Sequence, residues 1–471
     1  MTGAVSLPFW MVALLVAFAT IGVVDRIFAP SVRWFFRRRV NQAIDELNQR
    51  LDTRIQPFRL TKRQTHIDRL IYDPKVIEAV DAEARATGTP RAVVMKRAER
   101  YAREIVPAFS VTTYFGFGTK AARWISEFVY RVRLGYSDDE ALKAIDPEAT
   151  VVFVMNHRSN MDYVLVTYMA SSRASLSYAV GEWARVWLLQ NLIRSMGAYF
   201  IRRNSGDELY RKVLGRYVAM ATREGVTQAV FPEGGLSRDG LLKEPRLGLL
   251  SYMVAGFEPR SSRDIVFVPV GLNYDRVIED RILTAKAERE VTGRDFRVRT
   301  GSIMGFIWNL VKLRWQGKLY RFGYACVSFG RPLSLAAWQK SNGVDFASPD
   351  RERMFDGVQR LGNDLIAAIG EIVPALPVAL ASYVFLENGE RWISEFELKS
   401  AVFGLIKHLE GRGAHVHIPR ADRDYAVSSG LRMLTLRHLV VVNDEWLYRA
   451  NANERLLLSY YANSIAHLLK H

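Results

Sequence analysis

The sequence predicts an α/β fold: a central mixed sheet flanked by helices, with an N-terminal transmembrane helix, a helical N-terminal region and a small winged-helix-like C-terminal domain. Three observations carry this. Between Ala149 and Gly330 short apolar runs alternate with helix-spaced stretches, the pattern of helices packed on a sheet. From Ala4 to Val24 no residue is charged. Beyond Leu376 two helix-like stretches precede a hairpin, the order of a winged helix.

The uncharged run holds about 20 residues, enough as a helix to cross a hydrocarbon core roughly 30 Å thick. Ala17-Phe18-Ala19 mimics a signal-peptide cleavage site, but no Lys or Arg precedes the run, as such a peptide requires. Arg26, Arg33, Arg37, Arg38 and Arg39 follow it instead. Positive charge on that flank predicts a single-pass anchor over residues 1–25 in an inner or plasma membrane, with the rest of the chain in the cytoplasm.

Residues 26–140 read as helical, basic and membrane-associated, with helices over Val40–Leu51, Pro74–Ala86 and Arg91–Ile105. The stretch Ser110–Tyr136 mixes Tyr114, Phe115, Phe117, Trp124, Phe128 and Tyr130 with Lys120, Arg123, Arg131 and Arg133. Such a stripe usually packs on a neighbouring helix; the alternative is a membrane surface, with its rings at headgroup level. Gly116-Phe117-Gly118 is no dinucleotide fingerprint, since no strand precedes it and the third glycine is missing.

Residues 141–375 are predicted to form the α/β domain, with strands over Val151–Met155, Gln228–Phe231, Ile265–Val270 and Tyr324–Phe329. Helices are expected over Tyr163–Ser171, Leu209–Arg223 and Gly248–Phe257. Gly301–Trp315 is apolar and aromatic but too short to span, and is expected to lie near the headgroups. Residues 376–471 form the last unit, with helices over Ser394–Leu409 and Arg423–Arg437 and a hairpin over Leu439–Tyr448 turning at Asn443-Asp444.

Lys and Arg number 65 against 49 Asp and Glu, a formal net charge of +16. That surface suits an anionic membrane, phosphorylated substrates or nucleic acid alike. The single Cys326 excludes an intramolecular disulfide and a cysteine-based zinc site. His415 and His417 lack an accompanying acidic or cysteine set, so no metal is predicted.

The chemistry concentrates where the strands end. The first end reads Asn156-His157-Arg158-Ser159-Asn160-Met161-Asp162. At this spacing the Asp162 carboxylate can fold back onto one ring nitrogen of His157, fixing the tautomer and leaving the other nitrogen to accept a proton. It is a base with its orienting group and no nucleophilic side chain, as if the substrate supplied the nucleophile. The second end, Gly197-Ala198-Tyr199-Phe200-Ile201-Arg202-Arg203, places two guanidinium groups after an apolar run. Adjacent arginines are commonly a solvated pair, and they are also matched in geometry to phosphate oxygens. The third, Phe231-Pro232-Glu233-Gly234-Gly235-Leu236-Ser237-Arg238, combines a glycine turn with a hydroxyl and a cation. The fourth, Val268-Pro269-Val270-Gly271, reads by itself only as strand and turn.

Together, in this order, the four blocks resemble those of the glycerol-3-phosphate acyltransferase family: a His-x4-Asp motif, a Gly-x-x-Phe-Ile-Arg-Arg block, a Glu-Gly-Gly-x-Ser-Arg block and an apolar block centred on Pro. The match runs from about Val151 to Gly271, and Arg455–Ser464 resembles the family's C-terminal segment. The resemblance implies a glycerol-3-phosphate 1-O-acyltransferase. His157 would deprotonate the acceptor hydroxyl as it attacks an acyl thioester, with Asp162 orienting it. Arg158, Ser159, Arg202, Arg203, Glu233, Gly234, Gly235, Ser237 and Arg238 would bind the glycerol phosphate, and Pro269 would line the acyl side. The implied partners are glycerol 3-phosphate, acyl-CoA or acyl carrier protein as donor, and anionic membrane lipids. Neither a cofactor nor a nucleic-acid partner is expected.

Two departures bear on the acceptor. Leu236 stands where the family often has a further arginine, and Pro232 is more usual in the lysophosphatidate-acylating branch. Arg158 and the Ser237-Arg238 pair favour glycerol 3-phosphate. Lysophosphatidate or dihydroxyacetone phosphate remains the alternative acceptor. A membrane-anchored nucleic-acid-binding protein is the alternative from another class, and it leaves all four blocks without a role.

Overall fold

The computed structural model describes residues 55–171, 174–180, 187–202, 205–260, 262–292, 322–348 and 350–469, with isolated positions 8, 9, 11 and 48. Its strands are β1 (Arg131–Ser137), β2 (Thr150–Met155), β3 (Ser177–Val180), β4 (Tyr199–Phe200), β5 (Gln228–Val230), β6 (Ile265–Tyr274), β7 (Tyr324–Phe329) and β8 (Leu333–Ser334). They form one sheet in the order β1-β7-β6-β2-β5-β3-β4, with β8 alongside β6. The pairs from β6 through β2, β5 and β3 to β4 are parallel, β7 runs antiparallel to β6, and β1 is parallel to β7. The expected mixed sheet is therefore present.

Every residue of β2 is buried, as in a sheet covered on both faces. Alternation along the strands sorts the core into two layers. Val151, Phe153, Met155, Val268 and Val270 face one way, toward helix Met161–Ala170 and the C-terminal helices Pro377–Glu387, Arg423–Leu436 and Arg455–Ala462. Val152, Val154, Ile265 and Phe267 face the other, toward helices Arg63–Ile71, Pro74–Thr87, Arg91–Ile105, Glu208–Arg223, Leu247–Val254 and Arg351–Ile372. The boundaries expected at residues 140 and 375 thus separate no cores. The N-terminal helices complete one layer of the sheet and the C-terminal unit completes the other.

Local signals explain most helix ends. Asp73 caps helix Pro74–Thr87 through the Lys75 N–H, and Gly88 ends it in the left-handed conformation. Ser394 and Glu397 form a capping box on helix Glu395–Gly411. After helix Arg423–Leu436, strands β9 (Val440–Val442) and β10 (Tyr448–Ala450) make the expected hairpin.

Two stretches differ from expectation. Ser110–Tyr136 is not one helix: it comprises a π-helical turn Thr112–Gly118, an α-helix Thr119–Val129 and then β1 at the sheet edge. The α-helix buries Ala122, Ser126 and Val129, while Phe117 and Trp124 remain exposed. The fourth block also contains no turn, because β6 continues through Gly271 to Tyr274. Gly271 is required there by close packing: a Cβ would lie 2.5 Å from the Ile372 carbonyl oxygen. Glycine here permits the end of helix Arg351–Ile372 to touch the strand.

Among the described residues no helix is long and apolar enough to cross a membrane. The run Ala4–Val24 (Pro8, Phe9 and Met11 apart), helix Val40–Leu51 (Asn48 apart) and Gly301–Trp315 lie outside the described residues.

Candidate active site

The end of β2 is prolonged by a side chain. The Asn156 amide donates to the Leu272 carbonyl at 2.9 Å and accepts the Leu272 N–H at 2.8 Å, replacing a rung of the ladder to β6. His157 follows, on the sheet face that carries Met155. Its ring stacks on Phe231 at 3.9 Å between centroids and meets the edge of Tyr163.

The turn then closes on Asp162 at the start of helix Met161–Ala170. One carboxylate oxygen lies 2.9 Å from His157 Nδ1 and accepts the backbone N–H groups of Arg158 and Ser159, at 2.7 and 3.0 Å. The other accepts the Tyr274 hydroxyl at 2.6 Å. Asp162 and His157 are 0 and 1% exposed, so this network is shielded from water. With Nδ1 committed to the carboxylate, Nε2 has no partner among the described residues. A buried imidazole held from one side with its other nitrogen unengaged is arranged to take up a proton.

The third block locks onto the first. The Glu233 carboxylate accepts the His157 N–H at 2.8 Å and the Lys243 N–H at 3.2 Å, while Ser237 N–H donates to the His157 carbonyl at 2.9 Å. Burial pushes the Glu233 carboxyl up to about 7, against the pull of those N–H bonds and of nearby Arg158 and Lys243. Gly234 has φ +70, and a Cβ there would lie 2.5 Å from the Arg246 stem. Gly235 completes the turn half-buried, and Arg238 is half-buried beside Ser237. The Ser237 hydroxyl donates within its own loop, to the Leu241 carbonyl at 2.9 Å, and accepts the Gly240 N–H.

Several predicted ligands are occupied by protein partners. The Arg158 guanidinium is buried and donates to the Gly240 carbonyl at 2.5 Å, 5.8 Å from the Tyr460 ring centre. The Ser159 hydroxyl donates to Glu279 at 2.7 Å, and the same carboxylate accepts the Asn160 N–H at 3.2 Å. Arg202 forms a bidentate pair with Glu104 at 2.9 and 2.6 Å, beside the rings of Tyr101 and Tyr210. It lies just past β4, three strand spacings from β2, or roughly 14 Å across the sheet. Arg203 lies outside the described residues. Pro269 is not brought to His157: it sits beside Val154 in β6, facing Gly330 and helix Arg351–Ile372 on the other side of the sheet. The period of two along β6 sends its ring away from the face that carries His157.

Tyr274, Glu279 and Phe231 belong to the site and were not singled out in the sequence. Phe231 had a signal, since it is the last apolar residue before the Pro232-Glu233 turn. Tyr274 would have stood out had the strand been carried through Gly271. Glu279 had none, because its contact with Ser159 is 120 residues distant in sequence. Among the described residues no group of three or more His, Cys, Asp or Glu side chains stands together as a metal site. His415 instead stacks on Tyr136, and His417 lies beside Tyr324.

Residues 135–273 match the family described as "Acyltransferase", and residues 307–471 match "Glycerol-3-phosphate acyltransferase C-terminal region". The chain is 26% identical over 422 residues to a glycerol-3-phosphate acyltransferase of Pseudomonas entomophila, covering 87% of this chain and 49% of the relative. It is 25% identical over 430 residues to one of Xylella fastidiosa, covering 87% and 47%. The chain therefore spans about half the length of these relatives. The crystal structure of the 1-acyl-sn-glycerophosphate (LPA) acyltransferase PlsC from Thermotoga maritima superposes at a TM-score of 0.30, with 17% identity, over 54% of this chain and 77% of that one.

Glu233 supplies a test of how the loops are joined. Its folded value of about 7 exceeds the ordinary 4.5, so the native state holds a proton that the unfolded chain has lost between those values. The stabilisation from that proton is complete below about 4.5 and disappears as pH rises through about 7. Glu233→Gln cannot titrate. The stability of the wild type minus that of the variant, from urea unfolding, should therefore decline across this window and level off above it; a flat difference would contradict the burial of an ionisable group at this junction.

Proposed function

The chain belongs to the glycerol-3-phosphate acyltransferase family, and on that premise we propose that it transfers a fatty acyl group from an acyl thioester to the 1-hydroxyl of glycerol 3-phosphate, giving lysophosphatidate. The observation that carries this is His157 itself, held at Nδ1 by Asp162 with Nε2 unengaged.

Each step uses groups already described. The acceptor oxygen attacks the thioester carbonyl carbon while its proton passes to His157 Nε2. Asp162 accepts the Nδ1–H and offsets the positive charge gained by the ring. The tetrahedral intermediate collapses, the C–S bond breaks, and the leaving thiolate takes the proton back from Nε2. Positioning and one proton transfer suffice, since the thioester is already activated. Nε2 is itself out of contact with solvent.

The acceptor phosphate is assigned to Arg238 and Arg203. Arg238 follows the residue bonded to the His157 carbonyl, and Arg203 follows the end of β4. Arg202, paired with Glu104, supports that end. Acyl-CoA and acyl carrier protein both present the required thioester. We also propose that Ala4–Val24 anchors the chain, with the cationic Arg26–Arg39 segment and the acyl-transfer centre on the cytoplasmic side, near anionic lipid.

An acyl-transfer assay offering glycerol 3-phosphate, lysophosphatidate and dihydroxyacetone phosphate in turn tests the acceptor, and a clear preference for either of the last two overturns it. His157→Ala should lower turnover by about 10²–10⁴-fold in a folded protein, and near-normal turnover would remove the base from the mechanism. Arg238→Ala should raise KM for glycerol 3-phosphate roughly 10- to 150-fold, the worth of one charged hydrogen bond, with little change in KM for the donor. Equal changes for both substrates would mark Arg238 as structural. A reporter fused after Arg39 should be found in the cytoplasm; one found on the outer side contradicts the topology.

A further inference from the structure

The parallel strands all point their C-terminal ends, and the acyl-transfer residues, to one edge of the sheet. At the opposite edge lies a cavity of about 270 Å³. Ser177 opens β3, Gly197 precedes β4 and Val226 precedes β5, and all three line it, which places the cavity beneath the starts of three adjacent strands. Its other walls are the segment Phe58–His66 and the turn Pro107–Phe109.

The lining is strongly one-sided in charge. Arg59, Lys62 and Arg63 supply that charge, and among the described residues no Asp or Glu lines the cavity; burial lowers the pKa of the lining His66, so its imidazole is neutral at neutral pH. Arg59 is buried, with its guanidinium stacked 3.6 Å from the Phe109 ring centre. Its donors meet only the neutral oxygens of Ser175 and Leu176, so no carboxylate pairs with it among the described residues. Burial pulls its pKa down to about 10, which leaves it cationic at neutral pH. Arg63 donates to the Val106 and Arg103 carbonyls, and its pKa is lowered by burial and then by its neighbours Arg194 and Arg103. His66 is 5% exposed. Its Nε2 lies 2.8 Å from the Phe58 carbonyl, and its Nδ1 has no partner among the described residues. Glu224, whose charge His66 feels, is already paired with Arg69 at 2.7 Å.

A buried cation lacking a counter-charge is costly unless something supplies one. Here the missing partner is an anion, and a cavity lined by Arg59, Arg63 and Lys62 suits the charge and oxygens of a phosphate. We propose that this cavity is a second ligand site that binds a phosphate group, either the headgroup of an anionic lipid or a soluble phosphate ester, separate from the acyl-transfer centre. The site rests on its own residues and stands whatever acceptor His157 serves.

The test uses the full chain and two substitutions at exposed positions. Lys62→Glu reverses a charge at the rim, and Ala108→Trp plugs the mouth while keeping the Ala108 N–H bond to the Arg194 carbonyl. Thermal unfolding is followed against inorganic phosphate, with chloride at equal ionic strength as reference. Binding is measured to phosphatidylcholine vesicles with and without phosphatidate. Phosphate bound at the His157 edge contributes equally to all three proteins. For a soluble ligand, the phosphate concentration giving half the stabilisation should rise roughly tenfold or more in both variants. For a lipid headgroup, phosphate should not distinguish the proteins, and both variants should lose the wild type's added affinity for phosphatidate vesicles. If both variants match the wild type in both assays, the proposal fails. A loss in Lys62→Glu alone, with Ala108→Trp unchanged, indicates general surface attraction and also overturns the site.

Discussion

The buried carboxylate of Asp162 is the interaction on which the active edge depends. Its two oxygens hold the His157 ring, two successive backbone N–H groups and the Tyr274 hydroxyl. One side chain thereby sets the path of the turn after β2, orients the His157 ring and ties that turn to the end of β6. Replacing it leaves several buried donors without acceptors at once, and each such group costs about 1–3 kcal/mol. The backbone N–H bonds matter as much as the ring, because they place His157 at the mouth of the strand rather than along a helix.

A second tier of contacts comes from the far end of the chain. Arg437 pairs with Asp280 at 2.5 Å, with both side chains nearly buried, and the Tyr461 hydroxyl donates to the same carboxylate. Asp280 follows Glu279, which holds Ser159 and Asn160. The Asn463 amide donates to the Asp239 carbonyl at 2.8 Å, and Gly240 lies so close to the Tyr460 carbonyl that a Cβ would collide with it. Helix Arg455–Ala462 and the residues after it therefore brace both the His157 turn and the Glu233 loop. Breaking a buried pair such as Arg437–Asp280 typically costs about 3–5 kcal/mol, since the remaining charge is stranded. The C-terminal unit is a structural part of the active edge, whatever other role its helix–helix–hairpin order serves.

Charge follows the same division of the sheet. At the C-terminal edge Arg202 is answered by Glu104, and Arg158, bonded to the Gly240 carbonyl, has the Glu233 carboxyl nearby. At the N-terminal edge Arg59 is answered by neutral oxygens alone. The net charge of +16 thus conceals two different situations, one close to internal balance and one lacking its anion.

Sequence alone determined what depends on local periodicity and short spacing. The buried strands, the helices at Pro74, Arg91 and Arg423, and the His157–Asp162 pair all follow from contacts within a few residues. The α/β class follows from their alternation. What only the tertiary structure decided is which polar groups find one another across the chain. Arg158, read as a substrate ligand, is spent on Gly240 at 82 residues' separation, and Arg202 on Glu104 at 98. Pro269 sits in the right block on the wrong face, because strand parity, invisible until β6 is seen to pass through Gly271, turns it toward helix Arg351–Ile372. A guanidinium or carboxylate has the same appearance in a sequence whether it awaits a ligand or already holds a partner. Only the packing of distant segments, which sets burial and therefore the cost of leaving a charge unanswered, distinguishes the two.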